Sequence, residues 1–308
     1  MKYSLRKLEI FVAISRTGSV SRAATELSLS QSATSTALSE FERQFNMQFF
    51  DRVGKSLRIN EAGHQLLPRA VELLDRAKEI ESMLGSHNSF GPMKIGATLT
   101  VGNYLATLLV ARFLQDHPES RIQLLVYNTK TIVQQIVNHE LDLGLIESSC
   151  HHPDIESEPW IADELAVFCS PDHPLARKPK ISMEKLLQEP WILREIGSGT
   201  RETFDRAFHR YHGKLNIRLE LEHTEAIKRA VESGLGIGCI SHLALKEAFR
   251  RGSLVHLPTP NLKLDRYFHF IWHNQKYQTA GMREFLTLCR NMTAGVDRSD
   301  QVNLPYIA

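Results

Sequence analysis

Two groups of residues in this chain have the types and spacing to do chemistry. The first is a run of short polar side chains, Ser30, Gln31, Ser32, Ser35 and Thr36. Glutamine can contact adenine through two hydrogen bonds, and serine or threonine hydroxyls reach base edges and phosphates. Just downstream, Arg52, Lys55 and Arg58 surround Gly54, cations suited to phosphate oxygens. The second group lies where strands are expected to end and helices to begin. It comprises Thr98 and Thr100, Glu147-Ser148, the run Gly197-Ser198-Gly199-Thr200, and His223-Thr224. Backbone N–H groups at a helix start, joined by hydroxyls, form an anion cradle. On pattern alone, a Gly-Ser loop with Thr200 as helix cap explains the third of these equally well. Glu147 and Glu195 would repel an anion unless they point away or pair with Arg194 or Arg201.

The first group needs a rigid platform. Val20–Leu27 places Ala23, Ala24 and Leu27 on one face, and the segment from Ser30 places Ala33, Ala37, Leu38 and Phe41 on one face. Spacings of three and four residues mark two short amphipathic helices. Ser19 and Ser30 stand at their N-cap positions, and Ser28-Leu29 leaves room only for a tight turn. The exposed face of the second helix is read as Gln31, Ser32, Thr34, Ser35 and Ser39. This frame can set a helix into the DNA major groove, although a solvated helical hairpin has the same pattern. An apolar stripe through Leu5, Leu8, Phe11, Val12 and Ile14 supplies a covering helix. Phe49–Ile59 reads as a basic hairpin, or wing, turning at Gly54.

From Asn60 a long helix is expected to about Ser86, roughly 40 Å at about 1.5 Å per residue. Its stripe runs from Leu66 to Leu84, and Pro68 should kink it or remove a hydrogen bond. Such a stripe must bury itself, either on a second copy or on the chain's own second domain. Residues 85–92 read as a hinge. From Met93 strands and helices alternate: Met93–Ala97, Val101–Leu114, Arg121–Tyr127, Thr131–Asn138 and Leu141–Ile146, then a second set from Leu165 to Ile240. A βαβαβ order implies a parallel sheet with helices on both faces, and such sheets bind ligands beyond their strands' carboxyl ends. Thr293–Ala308 reads as a poorly structured tail.

Composition narrows the function classes. With 308 residues the chain should hold two or three domains. It has no apolar run long enough for a membrane span, and its charged start does not suit an export signal, so a cytoplasmic location is expected. Cys150, Cys169, Cys239 and Cys289 show no CxxC spacing, which argues against a metal or redox motif. Residues 1–60 carry nine Lys/Arg against five Asp/Glu, whereas the whole chain is only +2. The basic surplus therefore lies with the helix pair, as a polyanionic partner requires. An enzyme would need a convergent acid, base or nucleophile, and His223, Cys239 and Glu147 have no diagnostic spacing. A solute-binding protein would leave residues 1–60 without a role.

The N-terminal segment resembles the DNA-binding domain of LysR-type transcriptional regulators. The resemblance rests on Leu8-Glu9-Ile10-Phe11, Gly18-Ser19, Ala23-Ala24, Leu27, Ser30-Gln31-Ser32-Ala33, Ser35, Leu38, Glu42, Phe50-Asp51-Arg52 and Glu61-Ala62-Gly63. Thr34 and Phe41 depart from the family's usual aliphatic residue and leucine. Further along, Gly96–Leu105, Ser157–Trp160, Pro190–Glu195, Gly197–Glu202 and Glu225–Lys228 look like the YeiE-like branch of that family, which is associated with sulfite sensing.

The resemblance implies a winged helix-turn-helix domain at 1–60 and a linker and dimerisation helix with hinge at 61–90. It also implies a two-lobed α/β effector domain at 91–295, resembling periplasmic binding proteins, and a tail at 296–308. Lobe I would comprise 91–161 and 267–295, and lobe II 162–266. It implies promoter DNA as partner, a dimer that pairs into a dimer of dimers, and a small anionic effector such as sulfite in place of any cofactor. RNA polymerase is a further partner the family allows.

Overall fold

The computed structural model describes residues 3–54, 56–85, 90–211 and 213–302. Three helices open the chain: α1 (Leu5–Thr17), α2 (Val20–Glu26) and α3 (Gln31–Phe45). Ser19 and Ser30 cap α2 and α3, their hydroxyls accepting from the Arg22 and Ala33 amides. The buried face of α3 is Thr34, Leu38 and Phe41, whereas Ala33 is exposed. Thr34 therefore belongs to the core and not to the polar face expected of it. Its hydroxyl donates to the Ser30 carbonyl at 3.0 Å, which satisfies the one polar atom that burial would otherwise penalise. Strands β1 (Phe50–Val53) and β2 (Ser56–Ile59) pair antiparallel as the wing, with Gly54 at φ 62°. Phe11, Phe41, Phe49 and Phe50 stack beneath, the Phe11 and Phe49 rings 5.4 Å apart.

Helix α4 (Glu61–Gly85) starts at Asn60, whose side-chain oxygen accepts the Gly63 amide at 3.0 Å. Pro68 removes one donor without ending the helix. The stripe divides into two. Leu67, Ala70, Val71 and Leu74 pack into the helix-turn-helix core, while Leu73, Ile80, Met83 and Leu84 are exposed. Most of the expected hinge, Ser86–Ser89, lies outside the described residues. No helix among the described residues is long and apolar enough to cross a membrane.

Beyond it lie β3 (Pro92–Thr98), α5 (Leu99–Val101), a π-turn over Gly102–Ala106, α6 (Thr107–Asp116), β4 (Arg121–Tyr127), α7 (Thr129–Val137) and β5 (Leu143–Ile146). The long strand β6 (Ile155–Cys169) leads to α8 (Met183–Gln188), β7 (Pro190–Arg194), α9 (Gly199–Ala207), β8 (Asn216–Leu221) and α10 (Thr224–Glu232). Next come β9 (Ile237–Ser241), α11 (His242–Arg251), β10 (Val255–Leu257), β11 (Asp265–His273) and α12 (Ala280–Met292). Strand order is β4-β3-β5-β11-β6-β9-β7-β8, with β10 also on β6. Ile155–Glu164 of β6 pairs with β11 and its last five residues with β9 and β10, so these two strands carry the chain between two α/β lobes. Phe113, Phe268, Phe270 and Phe285 fill one lobe, and Trp191, Phe204 and Phe208 the other.

Two expectations shift here. Only Leu165–Cys169 reads as strand in the sequence, whereas the strand begins at Ile155. The structure accommodates Pro159 opposite His269, at a register irregularity. The tail is the second correction: residues 293–302 are ordered on the protein, with Ser299 fully buried and Val302 in the core of the first lobe. Residues 303–308 lie outside the described residues.

Candidate DNA-binding surface and interlobe site

Helix α3 and the wing form the walls of one open concavity of about 1300 Å³, whose lining includes Gln31, Ser35, Arg52 and Ser56. Ser30, Gln31, Ser32, Ser35, Thr36, Arg52 and Arg58 are all exposed. Lys55 lies outside the described residues. Ser30 is committed to the α3 cap, with its Oγ 3.1 Å from Ser32 Oγ. The free polar set is therefore Gln31, Ser35 and Thr36, with wing arginines at one side. The acidic Glu42 in the same concavity is held by the Phe49 amide at 2.8 Å, and so points into the base of the wing.

Part of the second candidate group, Thr100, Glu147, Ser148 and the Gly197–Thr200 run, meets at the junction of the lobes. Glu147 follows β5 in the first lobe, and Thr200 opens α9 in the second. The Glu147 carboxylate accepts the Thr100 amide at 2.9 Å and the Thr200 hydroxyl at 2.8 Å. Arg266, at the start of β11, donates to the same carboxylate and to Thr200 Oγ1, each at 3.1 Å. Both ion-pair side chains are 1% exposed. Burial alone would raise the Glu147 pKa, but the Arg266 and Arg194 guanidiniums and the two hydrogen bonds hold it at about 2. Glu147 is thus an anion built into the protein, using donors that the sequence offered to a ligand. It neither points away nor pairs with Arg201. Glu195 instead lies against Arg194, at 2.8 Å.

Glycine explains how closely the lobes approach. A Cβ at Gly199 would lie 3.0 Å from Glu147 Cβ and 3.3 Å from Ser148 Oγ. Without one, the Gly199 amide donates to Thr129 Oγ1 at 3.1 Å, and the Lys130 amide to the Gly197 carbonyl at 3.2 Å. Gly197 adopts φ 98°, in the region that glycine favours. Ser198, not Thr200, caps α9, its hydroxyl accepting the Arg201 amide. On another side of the junction, Tyr104 donates to Glu225 and accepts from Lys228.

The remaining expected residues are placed as follows. The Thr98 hydroxyl reaches the Leu145 carbonyl at 3.5 Å. His223 is exposed at the α10 cap position and makes no side-chain capping bond. Ser148 Oγ, Thr224 Oγ1 and Arg266 Nη2 are buried with no hydrogen-bond partner among the described residues. Buried polar atoms are ordinarily paired; Ser148 and Arg266 lie beside Glu147 at the junction, whereas Thr224 lies at the start of α10, next to the Glu225 that Tyr104 holds. Sequence reasoning missed Arg266, Asp163, Thr129 and Tyr104. Arg266 carried a signal, a cation opening the apolar strand Arg266–Trp272.

Residues 5–64 match the family profile of the bacterial regulatory helix-turn-helix proteins of the lysR family, and residues 87–294 match that of the LysR substrate binding domain. The chain belongs to the LysR family of transcriptional regulators. It is 43% identical over 289 residues to the "uncharacterized HTH-type transcriptional regulator YeiE" of Escherichia coli (strain K12), covering 94% of this chain and 98% of that one. It is 31% identical to the transcriptional activator CmpR of Synechocystis, over 92% and 93% of the two chains. Among solved structures, the Synechocystis CcmR regulatory domain in complex with 2-PG matches with TM-score 0.62 and 30% identity, covering 67% of this chain and 99% of that one. A full-length OxyR variant from Pseudomonas aeruginosa matches with TM-score 0.69 and 20% identity over 94% of each, a likeness of fold. This LysR regulator therefore joins a DNA-binding domain to an effector-binding domain and is not an enzyme. No cluster of potential metal ligands occurs among its described residues.

Proposed function

We propose that this LysR regulator binds a small oxyanion, sulfite being the first to test, at the junction of its two lobes, and converts that binding into altered promoter affinity. The observation carrying the reading is the trio of buried, unpartnered donors Ser148 Oγ, Thr224 Oγ1 and Arg266 Nη2. Because Glu147 already occupies the Thr100 and Thr200 donors, an incoming anion uses what remains or displaces the carboxylate. Glu147 and Asp163 share the buried Arg266, and the nearby Arg194 is paired with Glu195, so little unmatched positive charge is left for a highly charged ligand. The reading therefore favours a singly charged or protonated oxyanion over a dianion. The CcmR domain complex with 2-PG supports a small-molecule ligand in a domain of this kind.

On the output side, Gln31, Ser35 and Thr36 read base edges, while Ser30, Ser32, Arg52, Lys55 and Arg58 contact the backbone. The exposed apolar face of α4, with Ile80, Met83 and Leu84, pairs with a second copy, so that two α3 helices address a two-fold site. Family membership supports pairing of dimers and contact with RNA polymerase. For the effector to act, the two lobe arrangements must differ in affinity for it. Calorimetry with sulfite, sulfate, thiosulfate and small carboxylates tests the site. Ser148→Ala and Thr224→Val should each weaken binding on the order of tenfold, the worth of one buried hydrogen bond. Unchanged affinity in both variants would place the ligand elsewhere.

A further inference from the structure

The two lobes are joined covalently by β6 and β11, and the structure contains a third connection. After α12 in the first lobe, the chain turns at Gly295 (φ 73°) and runs back across the hinge strands. Its start is fixed by Trp160, whose Nε1 donates to Thr293 Oγ1 at 3.0 Å. Arg298 then forms a parallel bridge with Ala162 on β6 and pairs with Glu164. Asp300 approaches His242, the first residue of α11 in the second lobe, at 3.4 Å. Val302 packs in one apolar cluster with Leu243 of α11 and the first-lobe core.

At the centre of this segment the Ser299 hydroxyl, fully buried, donates to Asp163 Oδ1. The same Asp163 oxygen accepts Ser241 Oγ at 2.7 Å, and Oδ2 accepts Arg266 Nε at 2.7 Å. Arg266 in turn holds Glu147 and Thr200. An unbroken buried chain of hydrogen bonds therefore runs from Ser299 through Asp163 and Arg266 to the interlobe site.

We infer that residues 296–302 act as a strap, a non-covalent third hinge, and that Ser299 and Asp163 are positioning residues that set where Arg266 presents Glu147 and Thr200. The regulatory part of this inference rests on the effector reading above; the mechanical part does not. A buried carboxylate with three fixed donors has little freedom to rotate. Removing one donor lets Asp163 turn, and Arg266 follows its strongest partner. Anything that frees the strap then loosens the lobe junction at a distance.

Hydrogen exchange on the full-length, ligand-free protein tests this, comparing the parent chain with Ser299→Ala and Arg298→Ala. The second variant weakens the strap without opening a cavity, and decides the matter if the first does not fold. The Thr100 amide, whose acceptor is Glu147, and the Gly199 amide should exchange on the order of fivefold faster in the variants. Amides of the wing and of β8 serve as controls and should not change. Faster exchange at 298–302 with Thr100 and Gly199 unchanged would overturn the inference. So would an equal rise at every amide, which marks loss of global stability and no positioning. A parallel titration of the parent chain with sulfite and sulfate separates the two claims. Failure to bind either removes the effector reading and leaves the exchange result standing.

Discussion

Replacing Glu147 with glutamine keeps the side chain's shape and removes its charge. In the parent protein the carboxylate is held at about 2, from an ordinary value of 4.5. Each factor of ten in acid strength is worth about 1.4 kcal/mol, so the folded protein favours the charged form by about 3 kcal/mol. Asp163 still balances Arg266 in the variant, so the loss stays near that figure and does not reach the larger cost of a fully stranded charge. Glu147→Gln should therefore destabilise the effector domain at pH 7 by about 3 kcal/mol, or roughly 6–12 °C in Tm for a domain of this size. The sign of the pH effect follows from the depressed pKa. The stabilisation is fully present above the unfolded value of 4.5 and is lost as pH falls towards 2. At pH 4 the gap between parent and variant should narrow, by about 1 kcal/mol. Urea unfolding followed by tryptophan fluorescence at pH 7 and pH 4 measures both quantities. A variant as stable as the parent at pH 7, or a gap that widens at pH 4, would refute the reasoning.

Other perturbations follow from the same geometry. Gly199→Ala should cost about 1–3 kcal/mol by overpacking, because its Cβ would lie 3.0 Å from Glu147 Cβ and 3.2 Å from Thr129 Oγ1. Thermal unfolding measures the loss, and a neutral result would mean that Glu147 and Thr129 yield to the added methyl and that the junction is not tightly packed there. Ile80→Asp with Leu84→Asp, at positions 58% and 83% exposed, should leave the fold intact and shift the protein from dimer to monomer in sedimentation velocity. A dimer that persists in the double variant would move the interface off α4. Gln31→Ala should lower preference for specific over scrambled DNA by about 1–3 kcal/mol, without changing the sedimentation coefficient.

The DNA-binding half was legible because its signals are local. Ser19 and Ser30 as caps, Gly54 as turn and the aromatic spacing each act within a few residues. Thr34 was misplaced because its hydroxyl reads as facing solvent until its partner, a carbonyl four residues back, is known. The interlobe site was half legible. Its helix starts could be found from Gly and Ser, but the occupant of their donors could not. Glu147 meets Thr200 across 53 positions and Arg266 across 119, pairings that only the crossover of β6 and β11 creates. The same holds for the tail, where Ser299 looks like any solvated residue until Asp163 is placed beside it.

The most direct test of the account is promoter affinity at fixed salt as sulfite is added, measured on the full-length protein with cognate and scrambled DNA. Cognate binding should be tighter by a factor of at least about 10³, its affinity should move with sulfite, and in Ser148→Ala that movement should require about tenfold more sulfite. Cognate and scrambled DNA bound alike would contradict the account. So would cognate affinity that stays flat across sulfite and the other oxyanions.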